Sequence, residues 1–352
     1  MAEETVDQKR LVVSTSPHMH DKKNTEKIMY IVCLALLLPI IGGVYFFGIY
    51  TILVVLVSVI TAIITEFLAK RLRKREFMMD GSTIVTGILF ALVLPPRIPL
   101  WAVIIGAAFC IAIVKEAFGG LGYNIFNPAL AGRAFITVSF ASLMTSWIAP
   151  VTSIMSLDSI TSATPLGEGF SYAGSTSDMY IELLFGNVGG CIGETSALLI
   201  LLGGLLLIGT GVIKWRIPTI YIGTVFLLTW IIPGQDPVFH ILAGGLFLGA
   251  FFMATDYVTC PMTAKGQYIF AFGAGLLVVL IRIYGSMPEG VAFSILLMNA
   301  FTPLIDRHIK PKPYGFIPPE KKSKFLLKKI TKTADVADNS DQSDTNKKEE
   351  KK

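Results

Sequence analysis

Residues 28–47, IMYIVCLALLLPIIGGVYFF, hold one charge-free apolar run of 20 positions. At about 1.5 Å of rise per residue, a helix of that length crosses the roughly 30 Å hydrocarbon core of a bilayer. The next run, 50–68 (YTILVVLVSVITAIITEFL), repeats the pattern with one acid, Glu66, near its end. Outward from these two, the chain offers ten spans, at 28–47, 50–68, 82–94, 100–118, 128–149, 194–213, 217–232, 238–254, 267–284 and 287–305. The expected fold is an all-α polytopic membrane protein. Composition agrees: the 352 residues are 53% hydrophobic and only 16% charged, where soluble domains carry about 25% charge.

Charge placement sets the expected orientation. The polar first 27 residues lack a short apolar core with a small-residue cleavage site, so they read as a cytoplasmic leader, with Lys9, Arg10, Lys22, Lys23 and Lys27. Lys70, Arg71, Arg73, Lys74 and Arg75 fall in the next loop on that side, and Lys115, Lys214, Arg216 and Lys265 in later ones. Only Arg97 stands clearly in a loop on the opposite side. Ten spans with both termini inside satisfy the positive-inside rule. The organisation predicted is a leader (1–27), a first five-helix half (28–149), an extracytoplasmic loop (150–193), a second five-helix half (194–305) and a basic cytoplasmic tail (306–352). The tail's stretch 321–332 is basic and amphipathic, suited to the inner leaflet, and its polar end reads as disordered. The net charge of +5 therefore signals orientation and lipid contact rather than nucleic-acid binding.

Two apolar segments are short or interrupted. The third span stops at Leu94-Pro95-Pro96, and the eighth carries Gly244 and Gly245 before Asp256. Their Gly87-Ile88-Leu89-Phe90 and Gly245-Leu246-Phe247-Leu248 stretches lie five spans apart, which suggests two inverted repeats with broken helices. Chance likeness among apolar residues is the competing reading. Cys33, Cys110, Cys191 and Cys260 never form a CxxC and read as small packing residues, so a zinc or iron–sulfur site within the chain is not expected.

The long loop 150–193 contains neither Lys nor Arg. Within it stands Asp158-Ser159-Ile160-Thr161-Ser162-Ala163-Thr164-Pro165-Leu166-Gly167. Ser162 and Ala163 leave room for a large planar group, and Pro165 and Gly167 shape a turn. A threonine hydroxyl can be esterified by phosphate, given access and an external enzyme. Spacing alone favours a Ser/Thr-rich loop held by local side-chain hydrogen bonds.

The stretch resembles the flavinylation motif Asp-x-x-Ser/Thr-Gly/Ser-Ala-Thr, in which the last threonine, here Thr164, is joined to FMN by a phosphoester. Further motifs carry the likeness across roughly residues 10–310: Asp80-Gly81-Ser82, Leu94-Pro95-Pro96, Gly119-Gly120-Leu121-Gly122, Phe126-Asn127-Pro128-Ala129, Gly132-Arg133-Ala134-Phe135 and Met253-Ala254-Thr255-Asp256. Together they resemble the family of the Rnf D subunits and the B subunits of the sodium-translocating NADH:quinone oxidoreductase, with length and leader nearer the former. That resemblance implies a membrane subunit of an ion-translocating ferredoxin:NAD⁺ oxidoreductase, with covalent FMN on Thr164 and electron relay coupled to Na⁺ or H⁺. It also implies a flavin transferase for maturation, partners bearing a second flavin and iron–sulfur centres that hold the substrate sites, and residence in a prokaryotic inner membrane. A second, non-covalent flavin, such as riboflavin, is expected near Asn124, Asn127 and Arg133, at a helix start suited to the polar edge of a ring. The glycines at 119–122 sit between spans rather than in a βαβ unit, so a dinucleotide fold is a poor reading.

Ionisable groups at depth are functional candidates because charge in hydrocarbon is costly. Asp256 ranks first as an ion-coordinating or protonatable group, with a helix cap as the alternative. Asp80 reads as a cap first and an ion ligand second. Glu66 and Glu116 should pair with basic neighbours. Arg282 is placed to snorkel or to meet a flavin. A small-solute channel of similar fold, and an inert anchor for redox partners, are the other function classes; flavin content separates them from the redox reading.

Overall fold

The first two apolar runs fold as α1 (Thr25–Phe47) and α2 (Tyr50–Leu72), joined at Gly48, whose φ of 83° turns the chain back at once. The computed structural model describes residues 24–76, 81–150, 164–167, 175–285 and 290–311. Among them are α3 (Ser82–Leu92), α4 (Leu100–Phe109) running into a π-helical stretch Cys110–Glu116, α5 (Pro128–Ser139) and α6 (Ala141–Met144). Then come α7 (Thr176–Phe185), α8 (Ala197–Gly209), α9 (Arg216–Ile231), α10 (Pro237–Leu242) and α11 (Leu246–Leu248), which leads into a second π-helical stretch, Gly249–Met253. The last two are α12 (Ala264–Tyr284) and α13 (Val291–His308). No strand occurs among the described residues, and the protein is an all-helical polytopic membrane protein.

Helices α1, α2 and α12 are long and apolar enough to cross a membrane by length and composition. The outer faces of α1 and α2 carry large apolar side chains in the open: Leu34 is 57% exposed, Ile41 61% and Ile60 53%. A contiguous apolar surface of that kind has lipid as its solvent.

The shorter helices lie deeper. Pro95 and Pro96 follow α3, which stops after 11 residues, and Phe90, Ala91 and Leu92 are fully buried. Protein, rather than lipid, therefore surrounds its end. The expected fifth span, 128–149, is corrected: α5 stops at Ser139, because Phe140 leaves the helical region (φ −136°, ψ 54°). The eighth span is broken, as its glycines suggest. α10 ends at Leu242, Ala243 is extended (φ −80°, ψ 135°), and Gly244 has φ 72°. The connection expected at 150–193 also contains α7, capped by Ser175, whose Oγ accepts from the Asp178 N–H at 3.2 Å. The Ser175-x-x-Asp178 spacing is a helix-start pattern.

Without water to drive helices together, packing and small residues hold them. A Cβ on Gly203 would lie 2.8 Å from the Ala35 carbonyl, so α8 can approach α1 only with glycine there. Ser58 Oγ on α2 donates to the Gly87 carbonyl of α3 at 2.7 Å. Tyr221 of α9 meets Ser294 of α13 through their hydroxyls at 3.0 Å. Met1–Ile309 form one compact unit; of the second, Lys310–Lys352, only residues 310 and 311 are described.

Candidate functional site

Three interrupted segments converge around one buried carboxylate. A helix end leaves carbonyls without partners, and in hydrocarbon they must be satisfied by protein. At the end of α3, Leu92 O accepts from the Gly193 N–H at 2.7 Å and Leu94 O from the Ile192 N–H at 3.1 Å. That pins the glycine-rich segment 189–195 across the core. At the end of α10, Arg282 of α12 donates to the carbonyls of His240 and, at 3.0 Å, Ala243. A cation there also complements the helix dipole. Arg282 thus turns inward to a half-helix end rather than out to the interface. In the gap, a Cβ on Gly245 would lie 2.6 Å from Glu194 Oε1, so only glycine admits the carboxylate.

Glu194 is bound from the other side by Arg133 of α5. Arg133 Nη1 donates to Glu194 Oε1 at 3.1 Å and Nη2 to Cys191 Sγ at 3.4 Å, and the two charged side chains are 7% and 6% exposed. Removing either partner would strand a buried charge.

Thr164 shares a cleft with this pair's carboxylate. The Gly167 N–H donates to the Thr164 carbonyl at 2.9 Å, closing the turn that Pro165 and Gly167 suggest. Thr164, Leu166, Gly190, Glu194, Leu242 and Gly244 line one cleft of about 370 Å³. Thr164 is only 6% exposed. A bulky group on this hydroxyl would require the side chain to turn outward. Asp158, Thr161, Ser162 and Ala163, like Asp80, lie outside the described residues.

A larger cleft, of about 780 Å³, opens between α1, α3, α5, α8 and the second π-helical stretch. Its walls are mostly apolar, with Ser82, Lys115, Asn124, Asn127 and Asp256 as polar lining. Asn127 caps α5, accepting from the Ala129 N–H at 3.1 Å, and its Nδ2 donates to Met253 O at 3.3 Å. Asn124 Nδ2 donates to Phe126 O at 3.1 Å. Asp256 accepts from the Thr259 hydroxyl at 3.2 Å. The structure therefore brings Asn124, Asn127 and Asp256 to one cleft, whereas Arg133, expected beside the two asparagines, faces Glu194 instead.

Behind Ser82 sits a buried ionic network. Lys115 Nζ donates to Glu66 Oε1 at 3.2 Å, Ser82 Oγ at 2.7 Å and Thr83 Oγ1 at 2.8 Å. Thr83 donates to Glu66 Oε2, and Lys70 pairs with Glu66 at 2.8 Å. Lys115, expected as a loop cation, is thus 2% exposed. Glu116 pairs with Arg73 at 3.4 Å, so both acids do find basic partners. Glu194 and Lys115 escaped the sequence reading as site residues. Each sits at the edge of an apolar run, where a charge reads as a span boundary. Among the described residues no cluster of His, Cys, Asp and Glu suited to a metal occurs.

Residues 12–315 match the family described as NQR2, RnfD, RnfE. The chain is 47% identical over 330 residues to the D subunit of the proton-translocating ferredoxin:NAD(+) oxidoreductase complex of Clostridium ljungdahlii, covering 90% of this chain and 99% of that one. It is 47% identical over 320 residues to the D subunit of the Na(+)-translocating ferredoxin:NAD(+) oxidoreductase complex of Acetobacterium woodii, covering 89% and 98%. The D subunit of the ion-translocating oxidoreductase complex of Stutzerimonas stutzeri is 38% identical over 332 residues, covering 84% and 93%. On a match that spans most of the chain and relatives this similar, the protein belongs to the NQR2, RnfD, RnfE family.

Proposed function

We propose that the chain is the D-type membrane subunit of an ion-translocating ferredoxin:NAD⁺ oxidoreductase, carries FMN as a phosphoester on Thr164, and relays electrons between partner centres with coupled Na⁺ or H⁺ movement. The names of the relatives support the complex and its ion coupling. The flavin assignment is carried by Thr164 itself, in register with the flavinylation motif and seated on the cleft beside the α10–α11 break. Two relatives of equal identity are named for different ions, so overall similarity does not choose between them.

The residues around Thr164 fit such a group in part. The glycines at 189 and 190 present backbone without side chains to the cleft. Arg282 Nη2 comes within 3.2 Å of the place a Cβ on Gly244 would take, which puts a cation beside the cleft wall. The cleft is too small for an isoalloxazine ring, which would sit outside it. When bound, FMN supplies one- and two-electron chemistry; the chain supplies the anchoring hydroxyl and the turn that holds it. The larger cleft, with Asn124, Asn127, Ser82 and Lys115 on its walls, is the better seat for a non-covalent flavin, without Arg133. Partners in this reading are the flavin- and iron–sulfur-bearing subunits and a flavin transferase. The loop faces the outside and both termini the cytoplasm, as the distribution of Lys and Arg supports.

Flavin fluorescence on a denaturing gel tests the reading. The chain co-expressed with a flavin transferase should give a fluorescent band, and Thr164→Val should not. A dark native band would remove the redox role and favour a solute channel or an anchor.

A further inference from the structure

Glu194 is a carboxylate shared by two clefts. One is the Thr164 cleft; the other is lined by Arg133, Glu194, Gly245 and Met253. Both clefts meet at the break between α10 and α11. Breaks of this kind, with charges beside unwound backbone, are where membrane transporters hold ions.

We infer that the Glu194 carboxylate is a site for a monovalent cation, H⁺ or Na⁺, from which Arg133 displaces the ion. The inference rests on the ion-coupled reading above but not on the flavin. The geometry supplies both positions of the switch. With Nη1 on Glu194 at 3.1 Å, the guanidinium neutralises the carboxylate; Nη2 already reaches Cys191 Sγ at 3.4 Å, which gives it a second anchor when it swings away. Na⁺ on Glu194 and a guanidinium a few ångströms away repel in a low-dielectric interior, and a proton on Glu194 removes the charge that holds the guanidinium there. The two states therefore exclude each other, and the returning arginine expels the ion. The glycine at 245 keeps the space against Oε1 free of a side chain.

The test uses the full chain in nanodiscs, with and without Thr164→Val, so that loss of flavin and loss of the cation site are read separately. Thermal midpoints are followed against NaCl, with choline chloride holding ionic strength, and separately against pH without Na⁺. A ligand that binds only the folded state raises the midpoint with concentration. The expected result is a cation-dependent rise in the wild type that Glu194→Gln abolishes and Glu194→Asp keeps at higher cation concentration. Which series moves identifies Na⁺ or H⁺. Should the Gln variant fail to fold, a chain with Cys191 as its single thiol gives the second readout. Its rate of maleimide labelling must change several-fold with the same cation, as the guanidinium beside the sulfur leaves Glu194. A cation response unchanged in Glu194→Gln, or a Cys191 labelling rate indifferent to both ions, overturns the proposal.

Discussion

Replacing Lys115 by Met should destabilise the protein more than almost any other single polar change in the core. The ammonium lies within 3.2 Å of Glu66, 2.7 Å of Ser82 and 2.8 Å of Thr83, and the side chains of both Lys115 and Glu66 are 3% exposed. Met fills nearly the same volume, so the loss is electrostatic rather than a cavity. Taking one member from a buried pair costs about 3–5 kcal/mol. Lys70, still 2.8 Å from Glu66 and less deeply buried at 16%, keeps part of the compensation, which places the loss near ~3 kcal/mol. For a chain of this size, with an unfolding entropy of about 2.1 cal/mol/K per residue, that corresponds to a fall of about 4 °C in the thermal midpoint. Unfolding followed by tryptophan fluorescence in a mild detergent measures it. The double variant Lys115→Met with Glu66→Gln, which removes the stranded charge, should recover a good part of the loss, and the cycle isolates the pair term. A single-variant loss under ~1 kcal/mol, or a double variant no more stable than Lys115→Met alone, would refute the reasoning.

Gly132→Ala places a Cβ 2.1 Å from Cys110 Sγ and 3.2 Å from the Phe90 ring; overpacking of this kind costs about 1–3 kcal/mol. Adding Cys110→Ala should restore most of it in the same unfolding assay. Asp256 lies just beyond the second π-helical stretch, and burial pushes its carboxyl above the usual range against the opposing hydrogen bonds from the backbone and Thr259. A raised folded-state value means the folded chain holds the proton longer, so stability should fall as pH rises above about 4, the unfolded Asp value. Asp256→Asn should flatten that part of the midpoint-against-pH curve and lower ion-dependent turnover, while leaving gel fluorescence from Thr164 intact.

The membrane character and the approximate position of most helices were legible because an apolar run of bilayer length has few other solutions. The break in the eighth span was legible in Gly244 and Gly245, and the pairing of Glu66 and Glu116 in the basic residues nearby. The end of α5 at Ser139 was not, since 140–149 stays apolar enough to continue a span, and the turn at Phe140 ends the helix. Lys115 misled for a related reason: a lysine after an apolar run reads as a loop residue until the π-helical turn and Glu66 are seen to enclose it.

The sequence by itself determined that the chain lives in a membrane, which family it resembles, and that Thr164 stands in register with the motif it resembles, because length, hydropathy and motif spacing are local properties. The tertiary structure alone decided that Arg133 belongs to Glu194 rather than to the asparagines, that Arg282 closes a half-helix, and that Thr164 shares its cleft with a buried ion pair. The two arginine pairings join residues 39 and 61 positions apart in the chain. Their partners are chosen by which helix ends leave carbonyls and charges to be satisfied where no water reaches.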